Sequence, residues 1–89
     1  MDDLKRRFGR NVRRSRMNLG LSQEELALAC GLDRTYVGSV ERGERNISLI
    51  NIAKLAEALR ITPSDLLNFS NLDSEGVLND VRRPKKRSE

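Results

Sequence analysis

Residues 20–48 are punctuated too densely for a long helix or a strand. Gly20, Gly31 and Gly43 recur at near-equal spacing, and Ser22, Asp33 and Ser48 follow them a few residues later. Ser and Asp cap helix starts by accepting from backbone N–H groups that have no partner within the helix. Glycine closes a helix by taking up the left-handed conformation without a steric penalty. The stretch is thereby divided into helical pieces of about eight residues. Pieces this short do not persist in water on their own. They require longer flanking helices as a base, which points to an all-α domain.

Both flanks supply such helices. In "DLKRRFGRNVRRSRMNL", residues 3–19, Leu4, Phe8, Val12 and Leu19 fall close to one helical face. Asp2 or Asp3 can cap its start and Gly20 can close its end. Gly9 weakens the middle by up to ~1 kcal/mol, so packing must compensate. The other faces carry Arg6, Arg7, Arg10, Arg13 and Arg14. After residue 48, "LINIAKLAEAL" has a wide apolar stripe of Leu49, Ile52, Ala53, Leu55, Ala56 and Leu59. "TPSDLL" then starts a fifth helix, reaching about Phe69, with Thr62 as cap, Pro63 at the first helical position and Asp65 at the third.

Between the flanks, "LSQEELALACG" begins with Ser22 and Glu25 as a capping box. Leu26, Ala27, Ala29 and Cys30 follow as small core residues. Asp33 is positioned to cap the next helix, Arg34 to Arg42, whose Val37 and Val40 face inward with Tyr36 at the edge. Two short helices joined by a tight glycine-containing turn form a helix-turn-helix arrangement. From Ser70 the pattern fades. The expected organisation is one five-helix domain, 1–70, followed by a charged, flexible tail, 71–89. The tail's Arg82, Arg83, Lys85, Lys86 and Arg87 mainly solubilise it.

Charge and residue types narrow the function. Residues 1–20 carry seven Lys/Arg and two Asp, a net +5, whereas residues 21–70 carry five against seven, a net −2. A basic surface suits an anionic partner such as nucleic acid, although a solvated helix face has the same composition. The chain has no histidine and one cysteine. That excludes histidine acid–base catalysis, a Cys/His metal site and a disulfide within the chain. No Gly-rich phosphate loop is present. An enzyme, a cofactor and a metal are therefore not expected. Cys30 reads as a small buried residue. No apolar run is long enough to span a membrane or to serve as a leader, so a cytoplasmic location is expected.

The third helix has the features of a DNA-reading element. Its outward side begins with Arg34 and Thr35, then Tyr36, Gly38 and Ser39. Arginine pairs bidentately with the O6 and N7 of guanine, and threonine offers a methyl and a hydroxyl to base edges. The small Gly38 and Ser39 would let the helix sit deep in a groove. The start of the second helix, with Gln23, suits a phosphate oxygen.

Residues 4–67 resemble the phage repressor and Cro-type (XRE-like) helix-turn-helix family. The resemblance is carried by "RMNLG", "LSQEELA", "GLDRTYVGSVERGER", "SLINIAKLAEAL" and "PSDLL". The stretch "LDRTYVGSVERGERNIS" is similar in particular to the controller proteins of restriction–modification systems, which are small dimeric regulators. The resemblance implies a compact five-helix, lambda-repressor-like DNA-binding domain. It implies base reading by Arg34, Thr35 and Ser39. It implies backbone contacts by Arg16, Gln23, Tyr36, Arg42, Arg45, Asn46 and Asn51, and an Arg16–Glu41 pair tying the first helix to the third. The tail departs from the compact controller pattern. An antitoxin that represses its own operon, or a phage-type repressor, would share the same chemistry.

The implied partners are double-stranded DNA and a second copy of the chain. A single such domain reads few base pairs, and two-fold dimers solve this by reading two half-sites of a palindromic operator. The candidates for the dimer interface are the apolar residues left over at the fifth helix and its exit, Leu66 or Leu67, Phe69 and Leu72, with Ile47 and Ile50.

Overall fold

The structure is a computed structural model that describes residues 2–69. The side chains of Asp2 and Asp3, Leu72 and the tail 71–89 lie outside the described residues. Five helices follow one another: α1 (Asp2–Asn18), α2 (Gln23–Cys30), α3 (Arg34–Glu41), α4 (Leu49–Leu59) and α5 (Pro63–Leu66).

The helix starts are fixed by the capping residues. Ser22 Oγ accepts from the Glu25 N–H at 3.0 Å while the Glu25 carboxylate accepts from the Ser22 N–H at 2.8 Å. Thr62 and Asp65 form the same reciprocal pair at the start of α5, with Pro63 at the first helical position. Ser48 Oγ accepts from the Asn51 N–H. Asp33 occupies the cap position of α3 with an extended backbone, but its side chain makes no capping bond. At the other ends, Gly20, Gly31 and Gly43 all have left-handed φ, between 71° and 78°.

The core consists of Phe8 and Val12 from α1, Leu26, Ala27 and Cys30 from α2, Val37 and Val40 from α3, Ile52, Leu55, Ala56 and Leu59 from α4, and Leu66 from α5. It is narrower than the apolar pattern suggests. Ala29, Leu49 and Ala53 are exposed, and Leu4 and Leu19 are 50% and 40% exposed. Helices of eight to eleven residues on so small a core bury only a slender stripe each. Burial pushes the pKa of the Cys30 thiol up, so the residue is held as a neutral small hydrophobe.

Helix α5 ends at Leu66 rather than near Phe69. Asn11 explains where the chain turns. Buried on α1, its side-chain amide donates to the carbonyls of Leu66 at 2.8 Å and Asn68 at 3.0 Å. One polar residue in the apolar register of α1 thus fastens the exit of the domain.

Gly9 allows α1 to cross α3 closely. A Cβ placed there would overlap the Val40 carbonyl oxygen and lie 2.6 Å from that of Glu41. Both obstacles are backbone and cannot rotate aside. In an open helix, Gly→Ala would stabilise by roughly 1 kcal/mol. Here Gly9→Ala is expected to destabilise the domain by about 1–3 kcal/mol through overpacking. Urea unfolding of the two proteins measures this, and a raised midpoint would show that α1 and α3 separate freely.

Candidate nucleic-acid interface

Glu41, in the last turn of α3, connects three helices. Its carboxylate accepts from Arg16 Nε at 2.7 Å, from a second Arg16 guanidinium nitrogen at 3.0 Å, and from Gln23 Nε2 at 3.1 Å. A third Arg16 nitrogen donates to the Leu21 carbonyl at 2.8 Å. The side chains of Arg16 and Glu41 are 12% and 4% exposed. The bond to Glu41 raises the Arg16 pKa above its usual value, outweighing the opposing effect of burial. Bidentate geometry of this kind fixes orientation as well as charge. The first turn of α2 is thereby held beside α3.

Gly38 belongs to the same packing. A Cβ there would lie 3.5 Å from Gln23 Oε1 and 3.2 Å from an Arg42 nitrogen. The expected open surface at Gly38 is instead covered by these two side chains, because α2 lies across it.

A second cluster secures the loop after α3. Ser39 is buried, and its hydroxyl donates to the Tyr36 carbonyl at 2.7 Å while accepting from Arg45 Nε at 2.9 Å. The Arg45 guanidinium lies 5.2 Å from the centre of the Tyr36 ring, within cation–π range. Asn51 on α4 donates to the Tyr36 hydroxyl at 3.2 Å, leaving that hydroxyl's own proton for another acceptor. Ser39 is thus covered, and it orients Arg45. Helix geometry alone does not bury it, since Ser39 lies about 40° from the exposed Thr35; the loop after α3 folds back over it, with Arg45 bound to its hydroxyl.

The outer side carries the unengaged groups. Arg34 and Thr35 are exposed in the first turn of α3, and Asn46 is exposed in the loop. Among the described residues none of the three has a protein partner for its side chain. Arg42 pairs with Glu44 at 2.9 Å on the surface. That bond raises the Arg42 pKa and holds the Glu44 carboxyl below the usual carboxylate range. Exposed pairs of this kind contribute little to stability.

Of the residues expected to form the dimer interface, Leu66 is fully buried in its own core and cannot face a partner. Leu67 is 43% exposed and Ile50 is exposed on the outer side of α4. Phe69 and Ile47 pack partly against the domain's own core. With Leu4, Phe8, Ile52 and Leu67 they line an open apolar cleft of about 170 Å³.

The helix-turn-helix family model matches residues 12–66. The chain belongs to the helix-turn-helix family. This regulator is similar to the control protein C.BamHI of Bacillus amyloliquefaciens, with 48% identity over 66 residues, 73% of this chain and 82% of that protein. The crystal structure of the restriction–modification controller protein C.AhdI from Aeromonas hydrophila aligns with a TM-score of 0.69 and 58% identity. The alignment covers 70% of this chain and 94% of that one. A Neisseria protein solved as a hypothetical transcription factor aligns with a TM-score of 0.75 and 44% identity, over 86% of this chain and 90% of that one. The helix-turn-helix regulator is thus a DNA-binding protein built around α2 and α3.

The Arg16–Glu41 bond gives a direct test of how the α2–α3 unit is held. Glu41→Ala strands a mostly buried guanidinium and is expected to reduce stability by about 2–3 kcal/mol. A double-mutant cycle with Arg16→Gln should give coupling of at least about 1 kcal/mol in thermal unfolding. Additive effects would mean that the two residues act independently.

Proposed function

We propose that this regulator is a restriction–modification controller protein that binds double-stranded DNA as a homodimer on a palindromic operator. Arg34 and Thr35 read base edges from the first turn of α3. Gln23, Tyr36, Arg42, Arg45, Asn46 and, through Tyr36, Asn51 hold the phosphate backbone. Arg16 positions α2 and α3 through Glu41 and presents little of itself to DNA. The observation that carries the reading is the division of polar groups in this region. The side chains around α3 are bound to one another, while Arg34 and Thr35 at its tip have no protein partner. Groups held at a fixed place without a partner are suited to a partner from outside. The relatives named as control proteins support the controller assignment.

Dimerisation takes the apolar cleft as its centre. Leu4, Leu67 and Phe69 leave apolar surface at the exit of the domain, and a second copy covers it. Two α3 helices about 34 Å apart then reach successive major grooves.

Two measurements test this. Arg34→Ala is expected to weaken binding to the cognate duplex by about 1–3 kcal/mol and to relax preference at one base pair. Equal weakening on cognate and random duplexes would make Arg34 a phosphate contact. Leu67→Glu is expected to sediment as a monomer with an unchanged helical spectrum, and to bind the palindrome about two orders of magnitude more weakly. A Leu67→Glu protein that remains dimeric would place the interface elsewhere.

A further inference from the structure

The arginines of α1 are not accounted for by the reading head. Arg10, Arg13 and Arg14 are exposed and, with Met17 and Asn18, line a shallow groove on the outside of α1. None of the three arginines has a protein partner among the described residues. Arg10 stands three and four residues from Arg13 and Arg14, a spacing at which like charges on a helix repel one another. Among the described residues this cationic face carries no ion pair, although Arg14 also lines a neighbouring pocket with Asp65.

The orientation of this face is set by what α1 packs against. Gly9 presses on α3 and Asn11 on the exit of α5. Arg10 lies between those two directions, about 100° from each and roughly 200° from the buried Phe8. Arg14 lies about 140° from Gly9. Arg14 therefore points away from the α1–α3 contact and Arg10 to its side, whereas Arg13, about 40° from Gly9, leans toward α3.

We propose that the outer face of α1 is a second, sequence-independent surface for the phosphate backbone of duplex DNA, able to hold a separate DNA segment while α3 occupies the operator. The partner is argued from charge and shape. A duplex presents one negative charge per ~1.7 Å of axis, dense enough to neutralise clustered guanidiniums. Guanidinium groups match phosphate oxygens in bidentate fashion. Stable protein interfaces are centred on aromatic and apolar residues, and this face has only Met17. Bridging would bring distant DNA to the operator, raising the local concentration of regulator or closing a loop. The proposal takes operator binding by α3 as its starting point, but its surface can be tested without it.

The variants are Arg10→Gln/Arg14→Gln and, as a control removing equal charge elsewhere, Lys54→Gln on α4 with Arg60→Gln just after its end, both exposed. Both should keep the helical circular-dichroism spectrum, since the first relieves repulsion. Protein saturating an immobilised operator duplex, obtained by in vitro selection, is offered a fluorescent random duplex of about 30 base pairs at about 50 mM salt. Wild type and control should capture it, and the α1 variant should capture about tenfold less while remaining on the operator. In solution, the log–log salt slope for the random duplex should become shallower by nearly two for the α1 variant, since each lost phosphate contact contributes about 0.9. The control should change it much less. If no operator can be selected, the reading of α3 fails and the solution titration alone decides the α1 surface. Absence of second-duplex capture by wild type, or equal behaviour of the α1 variant and the control, would overturn the proposal. Capture of an acidic protein in place of DNA would overturn it as well.

Discussion

A carboxylate with 4% of its side chain exposed needs its oxygens paired, because an uncompensated buried charge is strongly destabilising. Glu41 meets that requirement with donors from two other helices, Arg16 on α1 and Gln23 on α2. The remaining architecture follows from keeping those donors in place. Gly9 lets α1 approach the end of α3 closely enough for Arg16 to reach. Gly38 leaves room for Gln23 to cross α3. The Leu21 carbonyl, in the turn between α1 and α2, takes the donor that Glu41 does not use. Two eight-residue helices that would melt alone are held by their shared core, and one charged bond and two missing side chains fix how they cross.

This arrangement sorts the polar residues into two kinds. Arg16, Gln23, Ser39 and Arg45 are of residue types that nucleic-acid interfaces favour, yet each makes at least one bond to protein. Such bonds fix where the remaining donors point. Arg45 shows the effect most clearly. Its Nε is bound to Ser39 and its guanidinium carbon lies over the Tyr36 ring, so its terminal nitrogens are oriented before any partner arrives. Preorganised donors lose less rotamer entropy on binding, and tighter binding follows without additional contacts.

The order of helices was legible because it depends on local chemistry. Ser22–Glu25, Thr62–Asp65 and the glycine stops act within a few residues, and no distant contact is needed to recognise them. Radial position was less legible, because it depends on neighbours that are remote in sequence. Ser39 reads as outward by its polarity, but the loop after α3 folds back and buries it. Ala29, Leu49 and Ala53 are apolar and exposed because none of the described residues covers those sides of α2 and α4. The end of α4 carried no glycine signal. Arg60 takes the left-handed conformation itself, with φ of 63°. The role of Asn11 was hidden for a related reason, since its partners are more than fifty residues away.

Helix α1 joins the two faces on which the proposed function depends. On one side it reaches α3 through Arg16 and the close crossing at Gly9. On the other it holds the exit of α5 through Asn11, beside the cleft lined by Leu4, Leu67 and Phe69. Between these anchors Phe8 and Val12 are packed in the core. Seventeen residues of continuous helix connect them, and a helix of that length, packed along one side, moves as a unit. In a two-fold pair the separation of the two α3 helices would then be set at the cleft and transmitted through α1. On that proposed reading, a shift of a few ångströms at the cleft would move Arg34 away from the base edge proposed for it. Specificity for half-site spacing would accordingly reside in the bonds of Asn11 and Arg16, neither of which has to touch a base.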